Sequence, residues 1–260
     1  MASLAALPRC AFVACASFLT LALSPCQATT VFTDTTFNLA GYSQTTYTNN
    51  TVAAGASYSV TQNGGFGNPA PSAQFDVTWT NNTTFTIFDG LINSSFTYNP
   101  STAGAIGSLD FSLDRYTTFT ASTVVLSNAT AGFLLEQNGK FYLDSVIGPA
   151  FSAATWQTVS TTGLAAVNFC LYSFATNAAP DCTQNPDFSA TGGVIDFGVR
   201  AGLGHLNALG TGTFDSFYDN LSITVNTVPE PAPGWIVITC FMALAIGRNV
   251  GRWRRRKQRP

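Results

Sequence analysis

Residues 133–143 read FLLEQNGKFYL, two apolar runs joined by Asn138-Gly139. An Asn-Gly pair between such runs is typical of a β-hairpin, because both central residues of a type I′ turn need a positive φ. The stretch is the strongest short-range structural signal in the chain. It predicts two antiparallel strands that pair on either side of the turn.

Strand patterns continue on both sides of this hairpin. Residues 109–114, LDFSLD, alternate apolar with polar side chains, the period of two that a half-buried strand requires. Similar runs, separated by turns that contain Gly or Asn, are Ala73–Trp79, Thr83–Phe88, Ile106–Leu113, Thr117–Leu126, Leu164–Phe174, Val194–Ala201 and Phe217–Val225. Residues 29–227 are therefore predicted to form an all-β domain, an antiparallel β-sandwich of jelly-roll type.

The N-terminus has the three parts of a secretory signal peptide. Arg9 supplies the positive charge, residues 11–23 form an apolar segment, and Ser24-Pro25 ends it. Cys26-Gln27-Ala28 then places small residues around a cleavage site. We expect residues 1–28 to be removed after Ala28 and the remainder to be exported.

The C-terminus has the parts of a membrane anchor. Residues 235–247, WIVITCFMALAIG, are apolar, and residues 248–260 carry seven of the 11 Lys and Arg residues. Basic residues behind an apolar segment stay in the cytoplasm. The apolar run is shorter than the roughly 20 residues that span a bilayer untilted. We expect one short transmembrane helix at 235–247 with a basic cytoplasmic tail.

The order Pro229-Glu230-Pro231, apolar segment, Arg-rich end resembles the PEP-CTERM sorting signal of Gram-negative, exopolysaccharide-producing bacteria. The resemblance covers residues 228–260. It implies that an exosortase recognises Pro229, Glu230 and Pro231 as a partner during export. It also implies transient anchoring in the inner membrane, followed by delivery to the cell surface or the extracellular space.

Charge narrows the partners of the exported part. Between residues 29 and 227 only Arg115, Lys140 and Arg200 oppose 12 acidic residues. Nucleic acid binding depends on Lys and Arg contacts to phosphate. We therefore expect no nucleic-acid partner.

Cysteine usage predicts a disulfide. The exported part keeps two cysteines, Cys170 and Cys182, and a lone pair in a secreted domain favours a disulfide between them. The alternative is two unpaired thiols. A zinc site is disfavoured because His205 is the sole histidine in the chain.

No catalytic residues are predicted. Asp110 and Asp114 share a strand face about 13 Å apart, which is too far for a retaining glycosidase pair. Glu136 is the sole Glu of the domain, and no Gly-x-Ser-x-Gly nucleophile motif is present. We expect the protein not to be an enzyme.

A second resemblance concerns the exported domain. The hairpin at 133–143, residues 156–160 (WQTVS) and residues 217–225 (FYDNLSITV) look like strands of concanavalin-A-like, or laminin-G-like, jelly rolls. That family often binds or cuts glycans, frequently with calcium. The resemblance implies a glycan as ligand.

Two small sets of residues are candidates for such a role. Trp79 and Trp156 are candidates for stacking on sugar rings. Asp215, Asp219 and Asn220 cluster near the last strand and are the candidates for a Ca²⁺ site, with simple solvation at a strand end as the alternative. No other cofactor is expected.

Three functions remain, from different classes. The first is a non-enzymatic structural or adhesive protein of the cell surface or extracellular matrix. The alternative is a carbohydrate-binding module for exopolysaccharide, assisted by calcium. A glycoside hydrolase is third, and it is disfavoured because the acid/base pair is missing.

The sorting signal can be tested directly. Replacing Pro229, Glu230 and Pro231 by Ala should leave the protein in the membrane with its anchor attached, because the exosortase no longer recognises it. Cell fractionation and mass measurement of the C-terminal peptide would show this. Release and processing as in the wild type would contradict the resemblance.

Overall fold

The computed structural model describes residues 28–125, 128–144, 154–204 and 207–229. The predicted signal peptide up to residue 27, the predicted transmembrane helix at 235–247 and the basic tail lie outside these residues. Across the described ranges, no helix has the length and apolar character to cross a membrane. Thr29–Val228 forms a compact unit of its own.

Strands dominate the described part. They are β1 Thr29–Asp34, β2 Tyr42–Asn49, β3 Ser57–Asn63, β4 Ser72–Trp79, β5 Thr86–Tyr98, β6 Ile106–Val125, β7 Asn128–Gln137, β8 Lys140–Asp144, β9 Gln157–Leu164, β10 Phe169–Tyr172, β11 Ile195–Gly204 and β12 Asn207–Thr227. The helices are short, α1 at Thr51–Ala54 and α2 at Pro100–Ala103, with 3-10 turns at Leu39–Gly41 and Ala166–Asn168.

The strands form two six-stranded antiparallel sheets. The front sheet has the order β3-β4-β12-β6-β9, and β1 also pairs with β12. The back sheet has the order β10-β8-β7-β11-β5-β2. The two sheets pack as a sandwich, so the predicted all-β class and β-sandwich are confirmed.

The long strand β12 organises the front sheet. One edge of β12 pairs with β6 over most of its length. Its other edge is shared, because β4 lies along Gly212–Tyr218 and β1 along Leu221–Asn226. The register shifts between Asp219 and Ser222, where Asn220 has a φ of 50°. This bulge bends β12 where its neighbour changes from β4 to β1.

The core consists of the side chains that point from each sheet toward the other. Leu109 and Phe111 on β6 and Phe133 and Leu135 on β7 are buried in a single cluster. The Phe111 and Phe133 rings stack with centroids 4.9 Å apart, which joins the middles of the two sheets. Full burial of such a side chain contributes about 1.5–3 kcal/mol, so this shared core holds the sheets together.

The hairpin prediction is confirmed. Asn138 and Gly139 have φ values of 55° and 72°, and Gln137 pairs with Lys140 across the turn. The predicted strands Ile106–Leu113 and Thr117–Leu126 are one continuous strand, β6. Arg115 does not interrupt it, because its side chain takes the inward position and is 3% exposed.

The prediction of a strand over residues 164–174 was wrong in its bounds. Leu164–Phe174 is not one strand: β9 ends at Leu164, a 3-10 turn follows, and β10 begins at Phe169. The reason is that β9 lies at the edge of the front sheet and β10 at the edge of the back sheet. The chain must therefore turn a corner between them.

The predicted disulfide between Cys170 and Cys182 is formed, with the sulfur atoms 2.00 Å apart. It closes the segment that follows β10, where Leu171 and Asp181 also exchange backbone hydrogen bonds. Phe174 of this segment packs over Gly90, where a Cβ atom would lie 2.4 Å from the ring. The disulfide therefore secures a cover on the outer surface of the back sheet.

This disulfide should contribute measurably to stability. Replacing Cys170 and Cys182 together by Ala should lower the free energy of unfolding by about 3 kcal/mol, because the open chain regains loop entropy. Guanidinium-induced unfolding measures the loss. Wild-type protein treated with a reductant should match the variant, and unchanged midpoints in both samples would contradict the stabilising role.

Candidate functional site

The outer surface of the front sheet is polar because its strands alternate. Inward residues of β4, β6 and β12, such as Phe75, Phe111 and Phe214, are buried in the core. The outward residues between them are Gln74, Asp76 and Thr78 on β4, Thr213, Asp215 and Phe217 on β12, and Asp110, Ser112, Asp114, Tyr116 and Thr118 on β6. This front face therefore carries mostly hydroxyl, amide and carboxylate groups.

An aromatic cluster interrupts the polar front face. It consists of Phe66, Tyr116, Trp156 and Phe217, all half-buried. Tyr116 and Phe217 are register partners on β6 and β12, with ring centroids 5.9 Å apart. Trp156 lies 5.6 Å from Tyr116 between centroids. Rings from three parts of the chain thus meet on one side of the sheet.

Phe66 comes from the loop between β3 and β4 and packs on the other three rings. Its centroid lies 4.6 Å from that of Phe217, 4.8 Å from that of Tyr116 and 5.5 Å from that of Trp156. The contact with Tyr116 is edge-to-face, and that with Trp156 is stacked. Such offset and edge contacts are the favoured geometries of aromatic pairs.

Hydrogen bonds tie this loop to the front face. Asn63 Oδ1 accepts from the backbone N–H of Phe66 at 3.0 Å. Asn68 donates its backbone N–H to Asp219 Oδ2 at 2.5 Å and its side-chain amide to Asp114 Oδ2 at 3.1 Å. The loop is held on both sides of Phe66, so the position of Phe66 is set by the sheet below it.

Two carboxylates lie next to the aromatic cluster. Asp76 on β4 and Asp215 on β12 are direct register partners and face outward together. Gln74 donates to Asp76 Oδ1 at 2.9 Å, and Thr118 donates to Asp215 Oδ2 at 3.2 Å. Burial, followed by the hydrogen bond and the charge of Asp76, raises the pKa of Asp215 to about 6. The pair therefore holds one proton in mildly acidic solution.

A groove of about 330 Å³ opens at the edge of the front face, beside this pair. It is lined by Ser57, Tyr58 and Ser59 of β3 and by Asp76 and Thr78 of β4. Tyr58 is 38% exposed. Asp76 belongs to both the groove and the carboxylate pair, so groove, pair and aromatic cluster lie side by side.

The front face carries acidic side chains without basic ones. Of the three Lys and Arg residues in Thr29–Val228, Arg115 points into the core and Lys140 begins β8 of the back sheet. Arg200 lies on the other side of the back sheet, its guanidinium carbon 4.6 Å from the Phe88 ring centroid. Asp76, Asp110, Asp114 and Asp215 therefore meet no Lys or Arg on the front face.

The structure separates the two tryptophans that were candidates for stacking. Trp79 occupies the inward phase of β4, is 1% exposed and packs against Phe85 and Phe119. Its ring is part of the core, where no sugar can reach it, so the expectation for Trp79 is corrected. Trp156 belongs to the aromatic cluster at the surface.

Two of the three residues considered for calcium, Asp219 and Asn220, are engaged in the fold. Asp219 and Asn220 form the bulge of β12, and Asn220 donates to Asp114 Oδ2 at 2.9 Å. Asp215 lies about 13 Å away along the strand. In the part of the chain that the structure describes, no group of three or more His, Cys, Asp or Glu side chains is placed to hold a metal. The carboxylate of Asp215 accepts from Thr118, and that of Asp219 accepts from Asn68 in the loop that carries Phe66.

The other predicted site is the sorting motif. Pro229 is the last described residue, and Glu230 and Pro231 lie outside the described residues.

Tyr116, Phe217 and Phe66 were missed by the sequence analysis. A signal existed for the first two, since each is an aromatic residue in the polar phase of its strand, in line with Asp114 and Asp215 respectively. Phe66 lies in a loop without periodicity, and no sequence pattern indicated its position.

No protein-family model matches the chain, and no curated protein sequence matches it. Among solved structures, a family 11 carbohydrate-binding module from Clostridium thermocellum, in complex with a β-1,3-1,4-mixed-linked tetrasaccharide, aligns with a TM-score of 0.40 and 14% identity, over 78% of this chain and 98% of that one. The family 11 module of the cellulosomal cellulase Lic26A-Cel5E from the same organism aligns with a TM-score of 0.35 and 14% identity, over 72% of this chain and 89% of that one.

A third structure is from the same organism, the N-terminal endo-1,4-β-D-xylanase 10B with its CBM22-1 and GH10 modules and xylohexaose. It aligns with a TM-score of 0.30 and 10% identity, over 73% of this chain and 27% of that one. At such values the function of the chain has to be inferred from its own residues.

The carboxylate pair makes stability depend on pH. Because the pKa of Asp215 is raised from 3.8 to about 6 in the folded state, folding takes up a proton between these values. The stabilisation is complete below pH 3.8 and is lost as the pH rises through about 6. Asp215→Asn should therefore raise the melting temperature at pH 7.5 by about 2–4 °C, corresponding to ~1 kcal/mol after solvent screening.

Melting curves between pH 4 and 8 would check this expectation. Asp110→Asn is the matched control, since Asp110 faces Thr224 rather than a second carboxylate. It should keep the wild-type pH dependence between pH 4 and 8. Equal pH dependence in Asp215→Asn and the wild type would contradict the shared proton.

Proposed function

We propose that the exported domain binds polysaccharide through the front face, as a non-catalytic module. The observation that carries this proposal is the aromatic cluster, which breaks an otherwise polar strand surface next to an open groove. Tyr116 and Phe217 occupy positions where solvent-facing strands normally hold polar residues. Half-exposed rings beside polar groups are the combination that binds a ligand with both apolar and hydroxyl surfaces.

A sugar ring presents such surfaces. Its C–H faces pack on aromatic rings, and its hydroxyl groups exchange hydrogen bonds with amides and carboxylates. On the front face, Gln74 lies opposite Phe217 on the neighbouring strand β4, and Asp215 lies two residues from Phe217 on β12. These groups are placed to fix the orientation of a sugar that stacks on the cluster.

The layout favours a chain over a single sugar. Register pairing puts Thr61, Gln74, Phe217 and Tyr116 in one row across four strands, and Trp156 continues it beside β9. With strands about 4.8 Å apart, the row is about 19 Å long. A row of that length suits an extended polysaccharide that lies across the strands.

Carboxylate spacing supports binding without cleavage. Retaining glycosidases hold their two carboxyl groups about 5–5.5 Å apart and inverting ones about 6.5–9.5 Å apart. Asp76 and Asp215 face each other as direct register partners and share a proton, so they are not the separated acid and base that either mechanism uses. Asp110 and Asp114 are farther apart than both, about 13 Å along one strand.

The proposal is compatible with the sorting expected from Pro229, Glu230 and Pro231. The C-terminal signal concerns only the destination of the protein, and a module that holds extracellular polysaccharide would have a structural or adhesive role at that destination. We propose exopolysaccharide of the producing cell as the first ligand to examine.

Affinity electrophoresis of the full chain in gels that contain single polysaccharides would test this proposal. The panel should include the exopolysaccharide of the producing cell, barley β-glucan, xylan and dextran. The wild type should be retarded by at least one of them. Trp156→Ala and Phe217→Ala should each weaken retention about tenfold, because a stacked ring contributes on the order of 1.4 kcal/mol.

Tyr47→Ala is the matched control, since Tyr47 is a partly buried ring of the back sheet's outer surface. It should bind as the wild type does. Circular dichroism would show that each variant is folded. Absence of retention on every gel, or equal retention of Trp156→Ala and the wild type, would overturn the proposal.

A further inference from the structure

The four carboxylates of the front face differ in how far the protein satisfies them. Asp110 accepts from the backbone N–H of Gly163 at 2.8 Å and from Asn226 at 3.0 Å. Asp114 accepts from Thr158 at 2.6 Å and from two Asn side-chain amides. Both of these carboxylates therefore have protein donors on each of their two oxygens.

Asp76 and Asp215 are satisfied to a smaller extent. Each has one hydrogen bond to a neutral side chain, from Gln74 and from Thr118 respectively. The residues that lie next to the pair are Ser57, Tyr58 and Ser59 on β3 and Thr118 on β6. None of these residues is basic, so the pair keeps its negative potential toward solvent.

The pair also lies between the groove and the aromatic cluster. Asp76 lines the groove, and Asp215 is two positions from Phe217 on the same side of β12. A ligand that occupies both the groove and the aromatic cluster therefore crosses the two carboxylates.

We propose that Asp76 and Asp215 are specificity-determining residues of the front face, which select uncharged sugars over sugars that bear a carboxylate. This inference rests on the proposed function and names its ligand class. Hydroxyl groups of a neutral sugar donate to the oxygens of the pair. A uronate at the same position is repelled, and each carboxylate of the pair weakens its binding about fivefold at contact distance in water.

Acidification provides a second test of this specificity. When the pair takes up one proton, its charge falls from two negative units to one. Binding of a carboxylated polysaccharide should then strengthen relative to its neutral parent between pH 7.5 and pH 5. The other titratable side chains that lie near the pair are Tyr58, which lines the groove, and Tyr116 of the aromatic cluster.

The experiment compares each neutral polysaccharide with its own carboxymethyl ether. Barley β-glucan, xylan and dextran, native and carboxymethylated, are cast into affinity gels and run with the full chain. At pH 7.5 the wild type should be retained at least fivefold more strongly by a neutral polymer than by its derivative. Asp76→Asn and Asp215→Asn should each narrow that ratio about fivefold.

Asp196→Asn is the matched control. It removes the same charge, and it too lies opposite an acidic residue, Glu136, but in the back sheet. This control should keep the wild-type ratio, which separates a local effect of the pair from an effect of net charge.

The outcomes separate the two proposals. If the wild type binds neutral and carboxymethylated polymers equally, or if Asp196→Asn narrows the ratio as much as Asp215→Asn does, the specificity proposal is overturned while polysaccharide binding stands. If no neutral polymer retards the wild type, both proposals fail. A ratio narrowed in Asp76→Asn and Asp215→Asn alone supports the selection of uncharged sugars.

Discussion

The antiparallel ladder between β6 and β12 is the constraint on which the rest of the structure depends. These are the two longest strands of the described chain, and they lie side by side in the middle of the front sheet. Since successive side chains of a strand point to opposite sides, their register decides two surfaces at once. The inward phase packs on the back sheet, and the outward phase forms the front face. A shift of this register by one residue would turn the core residues toward solvent and the residues of the front face toward the core.

The acidic and amide residues near the end of the ladder serve this arrangement. Asp114, Asp219 and Asn220 engage the loop that follows β3 and hold Phe66 over the rings of the sheet. Side chains that resemble a set of calcium ligands in the sequence are therefore engaged in the fold. Their hydrogen bonds position an aromatic residue, which links the bulge of β12 to the geometry of the candidate site.

Charge distribution then shapes what the face can accept. The domain places its few basic side chains in the core and in the back sheet, and it leaves a pair of opposed carboxylates on the front face. Like charges directly opposite each other on a sheet are destabilising, so the Asp76–Asp215 pair is a cost to the fold at neutral pH. Its place beside the groove and the aromatic cluster distinguishes this pair from the opposed Glu136 and Asp196 of the back sheet.

The amino-acid sequence by itself determined the class of the fold and the hairpin at Asn138-Gly139, and it favoured the Cys170–Cys182 disulfide. These signals are local or leave few alternatives, because a turn needs a positive φ, a strand needs a period of two, and two cysteines allow one pairing. Part of the site could also be predicted from the sequence, because Tyr116 and Phe217 occupy positions that alternate with buried residues and are otherwise polar. The position of Trp79 on the buried side of its strand could likewise be predicted from its alternation with Phe75 and Val77. Only the tertiary structure decided that Phe66 covers these rings and that Asp76 meets Asp215. Those contacts join segments far apart in the chain, and their register is set by the packing of the whole sandwich rather than by any nearby residue.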